Sequence, residues 1–108
     1  MPISLAEIAA LRQALSSGFG PVENEIVAEK ASALGHHGRL AQSAVAALHE
    51  FDAAPKPGVE RLTLVKKAAR EVWKYFIQRE LCGLRDQRDV IREYRIPAEV
   101  LMRLGAMD

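Results

Sequence analysis

Three histidines are candidate metal ligands in this sequence. His36 and His37 are adjacent, and neighbours on a helix point about 100° apart, so they cannot share one ion as residues i and i+4 do. His49 lies too far along the same predicted helix to join them within one protomer. We interpret the histidines as surface or packed residues and predict no metal site. The alternative is a site shared across an oligomer interface.

Cys82 is the one cysteine of the chain and its candidate thiol nucleophile. Arg79 and Arg85 are close in sequence, and neighbouring cations lower the pKa of a thiol and make it more reactive. Leu81 and Leu84 flank it, however, which is typical of a free cysteine buried as a small apolar residue. We favour the buried interpretation.

Motifs that carry enzymatic chemistry are missing from the sequence. It contains no glycine-rich phosphate loop, no HExxH pattern and no nucleophile elbow, and its scattered acidic residues form no evident catalytic pair. We therefore predict no catalytic residue, no cofactor and no enzymatic activity.

The stretch from Arg79 to Asp89 is the densest charged segment of the chain. One interpretation is a charged groove that binds an anion, a nucleotide or an acidic partner. The other, which we favour, is a corner between two helices that salt bridges and caps hold in place, although exposed ion pairs contribute little to stability. The residues of this candidate interaction surface are Arg79, Glu80, Arg85, Asp86, Arg88 and Asp89.

A basic face is predicted on the third helix, and Trp73 and Tyr75 are interleaved with its cations, as in many nucleic-acid-binding proteins. A helix-turn-helix interpretation of the last two helices is weak, since Pro97 lies in their connection and the second helix is poor in base-reading side chains. Trp73 and Phe76 are more typical of core residues. Nucleic-acid binding is thus the alternative function, and its predicted contacts are Lys66, Lys67, Arg70 and Lys74.

Composition favours a single globular domain over residues 1–108. Hydrophobic residues make up 49% of the chain and aromatic residues only 6%, which suits close helix packing better than a sheet. The net charge of +1 makes no case for a nucleic acid or a membrane surface. The charge is unevenly distributed, −3 over residues 1–55 and +4 over residues 56–108, so the two halves could dock on each other within the chain or between copies.

The sequence also predicts a cytoplasmic location. A single cysteine cannot form an intrachain disulfide, which fits a reducing compartment. The N-terminus lacks the basic and apolar regions of a signal peptide, and no uncharged apolar run approaches the roughly 18 residues that a membrane span requires.

Local signals divide the chain into helices, and no segment alternates as a strand would. Ser4 and Glu7 form a capping box before a first helix at about 5–16, which Ser17–Pro21 ends. The second helix is predicted over 22–52. A loop at Ala53–Gly58, rich in proline, separates it from the third helix, predicted over 59–81.

Shorter helices are predicted after residue 81. Gly83 ends the third helix, and Asp86 is the predicted N-cap of a short helix at about 87–95. Pro97 begins the last helix, which runs through Leu104 and ends at Gly105.

A heptad stripe of apolar and small residues runs through two glycines of the second helix. If Gly35-His36-His37-Gly38 formed a loop, nothing would keep the apolar positions after it in the same heptad phase as those before it. We therefore predict one continuous helix, with Gly38 against a neighbouring helix; the alternative is a turn between two short helices. The stripe consists of Val27, Ala31, Leu34, Gly38, Ala41, Val45 and Leu48, and that of the third helix of Leu62, Val65, Ala69, Val72 and Phe76, widened by Ala68, Trp73 and Ile77.

The predicted fold is all-α: a long antiparallel helical hairpin of 22–52 and 59–81 with short N- and C-terminal helices, arranged like a bundle. A helix over 22–52 would be about 46 Å long, whereas a compact globule of this size is roughly 34 Å across. The apolar surface left over must meet the terminal helices or a second copy. We predict a homodimer that serves as a small oligomerising or protein-interaction module, the alternative being a monomeric bundle.

The segment Trp73–Leu104 resembles a family of small bacterial proteins of unknown function, above all in Phe76–Asp86 and Tyr94–Leu101. The stretch Glu29–Gly35 is similar too, so the resemblance covers about residues 22–105. It implies no activity and no ligand for these residues.

Overall fold

The computed structural model describes residues 4–16 and 21–106, and the part it describes is all-α. The predicted break at residues 17–20 lies outside the described residues. The long dimension of the molecule is 54 Å, against 25 and 20 Å in the other two directions. The helices are α1 (Leu5–Ser16), α2 (Pro21–Ala53), α3 (Arg61–Leu81), α4 (Arg88–Glu93) and α5 (Ala98–Leu101).

Helix α2 is continuous through Gly35–Gly38, as the heptad phase predicts. Its stripe forms the core seam of the hairpin with α3, and the residues from Leu34 to Leu48 on that stripe are buried. Gly38 faces Tyr75 of α3 so closely that a Cβ atom would lie 3.2 Å from a ring carbon. The glycine therefore lies where the two helices approach each other closely, which confirms its predicted position.

The buried face of α3 is rotated relative to the predicted stripe. Val65, Val72 and Phe76 are buried as expected, but Trp73 is 44% exposed and its predicted place in the core is wrong. Tyr75 is buried instead. Large apolar residues occur on both sides of α3, so its own sequence does not decide which side packs on α2. The other exposed members of the predicted face are Leu62 and Ile77, and the further buried residues of α3 are Ala68, Ala69 and Arg79.

Gly83 ends α3 in a Schellman motif. Its φ is +82°, a conformation that glycine adopts without steric cost. The Leu84 N–H donates to the Arg79 carbonyl at 2.9 Å, and the Gly83 N–H donates to the Glu80 carbonyl at 3.0 Å. The predicted stop is confirmed. At the other end, Glu60 is extended, so α3 begins at Arg61 and not at residue 59.

The last two helices are shorter than predicted. Gln87, and not Asp86, is the N-cap of α4, although Asp86 Oδ1 accepts a hydrogen bond from the Arg88 N–H at 3.0 Å. Hydrogen-bonded turns continue α5 towards Gly105, whose φ is +78°. Helix α5 packs on α3. The buried residues of the segment from α4 to α5 are Val90, Tyr94, Ile96 and Val100.

Arg61 ties the last helix to the hairpin. Its guanidinium donates to Asp52 at the end of α2 at 2.7 Å and to Glu99 of α5 at 2.5 Å. These hydrogen bonds hold the pKa of both carboxyls below their ordinary values. All three side chains are exposed, so the contact orients α5 more than it stabilises the fold.

We expect Arg95→Gly to raise the free energy of unfolding by about 0.5 kcal/mol. Arg95 has a φ of +56° and ends α4 as Gly83 ends α3, with the Ile96 N–H donating to the Ile91 carbonyl at 3.0 Å. A non-glycine residue in this conformation costs roughly 1–2 kcal/mol, of which glycine's greater freedom in the unfolded chain cancels about 0.5–1 kcal/mol. Urea unfolding followed by circular dichroism measures the difference.

The matched control for this prediction is Glu93→Gly, at the exposed last residue of α4. It should lower stability by about 1 kcal/mol, because glycine is unfavourable inside a helix. A loss of stability in Arg95→Gly as large as in the control would contradict the expected relief of strain.

Among the described residues, no helix is both long enough and apolar enough to cross a membrane.

Candidate functional site

A buried polar cluster joins α1, α3 and the segment before α4. Glu7 and Arg79 are almost fully buried, and Arg79 Nη1 and the Tyr75 hydroxyl both donate to Glu7 Oε1. Glu7 also completes the predicted capping box, since the Ser4 N–H donates to its Oε2 at 3.1 Å. One carboxylate therefore caps α1 and binds that helix to α3.

The other nitrogens of Arg79 bind the chain that follows α3. Nε donates to Gln87 Oε1 at 2.5 Å, and Nη2 donates to the Asp86 carbonyl at 3.2 Å. The Gln87 amide in turn donates to the Leu84 carbonyl at 3.3 Å. Each nitrogen of the buried guanidinium thus has a protein partner, so the cluster is suited to holding elements together and not to binding a ligand.

Tyr75 lies between Gly38, Glu7 and Tyr94. Its ring stacks on Tyr94 with centroids 5.9 Å apart and planes 14° from parallel. Burial, followed by the hydrogen bond to Glu7, raises the pKa of Tyr75 far above its ordinary value. The phenol therefore remains a neutral donor at physiological pH and cannot serve as a general base.

The charged corner after α3 is mostly occupied by its own ion pairs. Arg79, predicted as a surface residue, is buried in the cluster and does not belong to the exposed surface. Asp86 and Arg88 pair at 2.8 Å, and the hydrogen bonds from Arg88 hold the pKa of Asp86 down at about 2. Arg92 pairs with Asp89 at 2.5 Å. The exposed residues of the predicted surface are Glu80, Arg85, Asp86, Arg88 and Asp89.

The cysteine is partly buried, and the histidines contact each other or the backbone. Burial raises the pKa of the Cys82 thiol, and this outweighs the opposing effect of Lys30 and Arg79. The rings of His36 and His37 meet edge to face, and His49 Nε2 lies 2.7 Å from the Arg95 carbonyl. Within residues 4–16 and 21–106, no group of three or more histidine, cysteine or acidic side chains could hold a metal ion.

One side of the α2–α3 hairpin is open among the residues that the structure describes. The segment from α4 to α5 lies on the opposite side, where Arg95 meets His49. The open side carries two adjoining depressions that share Ala47 and Leu64, with volumes of about 150 and 520 Å³. We call it the open face. Its residues are Leu40, Ser43, Ala44, Ala47, Glu50, Phe51, Ala53, Ala54, Lys56, Val59, Leu64, Lys67 and Glu71.

A further depression, of about 540 Å³, separates α3 from the C-terminal turn. We call it the basic groove. Its charged lining residues are Lys66, Arg70, Lys74 and Arg103, and Trp73 lies among them. Lys67, which the sequence grouped with these cations, lines the open face instead. Sequence reasoning did not find Arg103, because it is brought here from the C-terminal turn that follows α5.

Comparison with known proteins assigns no activity. A family model described as "Family of unknown function (DUF6665)" matches residues 3–108. No curated protein and no solved structure matches the chain significantly.

Proposed function

Since the chain belongs to the family of unknown function DUF6665, which supplies no activity, we propose from its structure that the protein is a small helical interaction module that self-associates through the open face. The observation that carries this proposal is an apolar depression along both helices of the hairpin. Leu40 and Val59 on this face are 40% and 42% exposed. Association would remove this apolar surface from water.

Small residues make the open face suited to another helix. Ala44 and Ala47 lie on α2 beside Leu64 of α3. Two alanines let a neighbouring backbone approach closely, while Leu40 and Phe51 provide apolar area at either end. A second hairpin laid on this face would form a four-helix arrangement of the kind that two-helix units commonly adopt.

The charges at the rim favour a second copy of the chain as the occupant. Glu50 and Lys56 lie near the loop end of the open face, whereas Lys67 and Glu71 lie towards its other end. In a two-fold antiparallel dimer each end meets the opposite end of the partner, so unlike charges can face each other.

We expect Ala47→Glu to convert a dimer at tens of micromolar into a monomer. Ala47 belongs to both depressions. A carboxylate there would be buried in the dimer interface, against the same carboxylate of the second copy or against apolar side chains. Sedimentation velocity measures the change, and circular dichroism checks that the helices are retained.

Ala46→Glu is the matched control, because Ala46 is the neighbouring residue of α2 and is exposed elsewhere on the helix. It should remain a dimer. A strict monomer in the unmodified protein, or equal association of the two variants, would remove the proposal.

Two finer expectations from the sequence remain predictions. The exposed corner of Glu80, Arg85, Asp86, Arg88 and Asp89 is a surface for a protein partner, which cross-linking at these residues in a native extract would identify. A cytoplasmic location is supported by the single, partly buried cysteine.

A further inference from the structure

We propose that the basic groove binds single-stranded nucleic acid, with one base stacked on Trp73 and the neighbouring phosphates held by the cations around it. The site does not depend on self-association, because it lies on α3 and the C-terminal turn while the open face lies between α2 and α3.

The described lining of the groove is rich in cations. Its described lining residues include four cations and no carboxylate. Lys66 and Arg70 form no ion pair with a described carboxylate, and the ion pair of Lys74 with Glu71 is long, at 3.7 Å. Cations clustered around one depression attract a polyanion.

Trp73 provides a surface on which a base can stack. Its side chain is 44% exposed, which is unusual for the largest apolar residue of the chain. Among the described residues, no cation lies over the indole of Trp73. Arg79 lies over the ring of Tyr75 instead, 5.7 Å from its centroid. A Cβ atom at Gly105 would lie 3.5 Å from indole Nε1, so the backbone of the C-terminal turn packs against the ring edge and holds it in place.

The shape of the groove favours a single strand over a duplex or a free nucleotide. From Lys66 to Lys74 the cations extend about 12 Å along α3, at 1.5 Å per residue, which is more than one phosphate occupies. An indole can stack on a base only when that base is unpaired. A flexible strand can place one base on Trp73 and successive phosphates along the helix.

The experiment uses the tryptophan itself as the probe. Trp73 is the one tryptophan of the chain, so its fluorescence reports on the groove directly. Titration of the full chain with an eight-nucleotide oligouridylate at 50 mM salt should quench this fluorescence. The logarithm of the binding constant should fall with the logarithm of the salt concentration, with a slope of about −3 for four phosphate contacts.

Two adjacent lysines provide a matched pair of variants. Lys66→Gln should weaken binding and reduce the salt slope by about 0.7, the contribution of one phosphate contact. Lys67→Gln should leave both unchanged, because Lys67 lies on the open face. Trp73→Ala should weaken binding about 5- to 150-fold, whereas Trp73→Phe, which keeps an aromatic face, should retain most of it. Fluorescence anisotropy of a labelled oligonucleotide measures binding for the two tryptophan variants.

Four results would overturn this proposal: no binding at 50 mM salt; equal loss of binding in Lys66→Gln and Lys67→Gln; binding of the duplex with the same quenching; or binding of uridine triphosphate as tight as that of the oligonucleotide. None of them bears on the dimer, which Ala47→Glu tests separately.

Discussion

Arg79→Ala is expected to lower the free energy of unfolding by about 3–5 kcal/mol, the usual cost of removing one partner from a buried ion pair. The substitution leaves the Glu7 carboxylate buried without its cation, and Gln87 and the Asp86 carbonyl lose a donor. Since a domain of this size is stable by only about 5–15 kcal/mol, the variant should be close to unfolding. Urea denaturation followed by circular dichroism measures the loss.

Arg88→Ala is the control for this prediction. Arg88 also pairs with an aspartate near the same corner, but its side chain is 85% exposed, so its removal should cost less than about 1 kcal/mol. A double variant, Glu7→Leu with Arg79→Met, should recover much of the loss, because it removes both charges together. If Arg79→Ala cost no more than Arg88→Ala, the cluster would not be a main support of the fold.

Gly38→Leu is expected to lower the free energy of unfolding by about 3 kcal/mol, at the upper end of the cost of overpacking a core. A Cβ atom alone would lie 3.2 and 3.3 Å from two ring carbons of Tyr75. The ring cannot move aside easily, because it stacks on Tyr94 and donates a hydrogen bond to Glu7. The larger side chain must therefore separate α2 from α3. Thermal and urea unfolding both measure the effect.

Two further variants make this prediction specific to the helix contact. Gly38→Ala should be nearly neutral, since a gain of about 1 kcal/mol in helix propensity offsets the tight contact. Ala46→Leu adds a leucine at an exposed position of the same helix and should change stability by less than about 0.5 kcal/mol. A Gly38→Leu variant as stable as Gly38→Ala would mean that the two helices can separate at little cost.

The structure explains why charge alone was a poor guide to the corner after α3. Arg79 and Arg88 are the same residue type, nine positions apart, yet one is buried in a network and the other is exposed. The partner that draws Arg79 inward is Glu7, 72 positions away in the sequence. No pattern within the corner itself contains this information.

The sequence by itself determined the helical elements of this protein. The continuity of α2 follows from the heptad phase across Gly38, the end of α3 from Gly83, and the start of α1 from Ser4 and Glu7. These signals act between residues a few positions apart, so they can be recognised from the chain alone.

Only the tertiary structure decided what each helix presents to its neighbours. In the folded protein Tyr75 is buried and Trp73 is exposed. Arg103 and Lys66 line the same groove, whereas Lys67 lines the open face. Both sides of α3 carry large apolar and basic residues, so the choice between them depends on which side packs on α2 and on the C-terminal turn. That packing is a sum of contacts between distant segments, and it is what created the buried cluster, the open face and the basic groove.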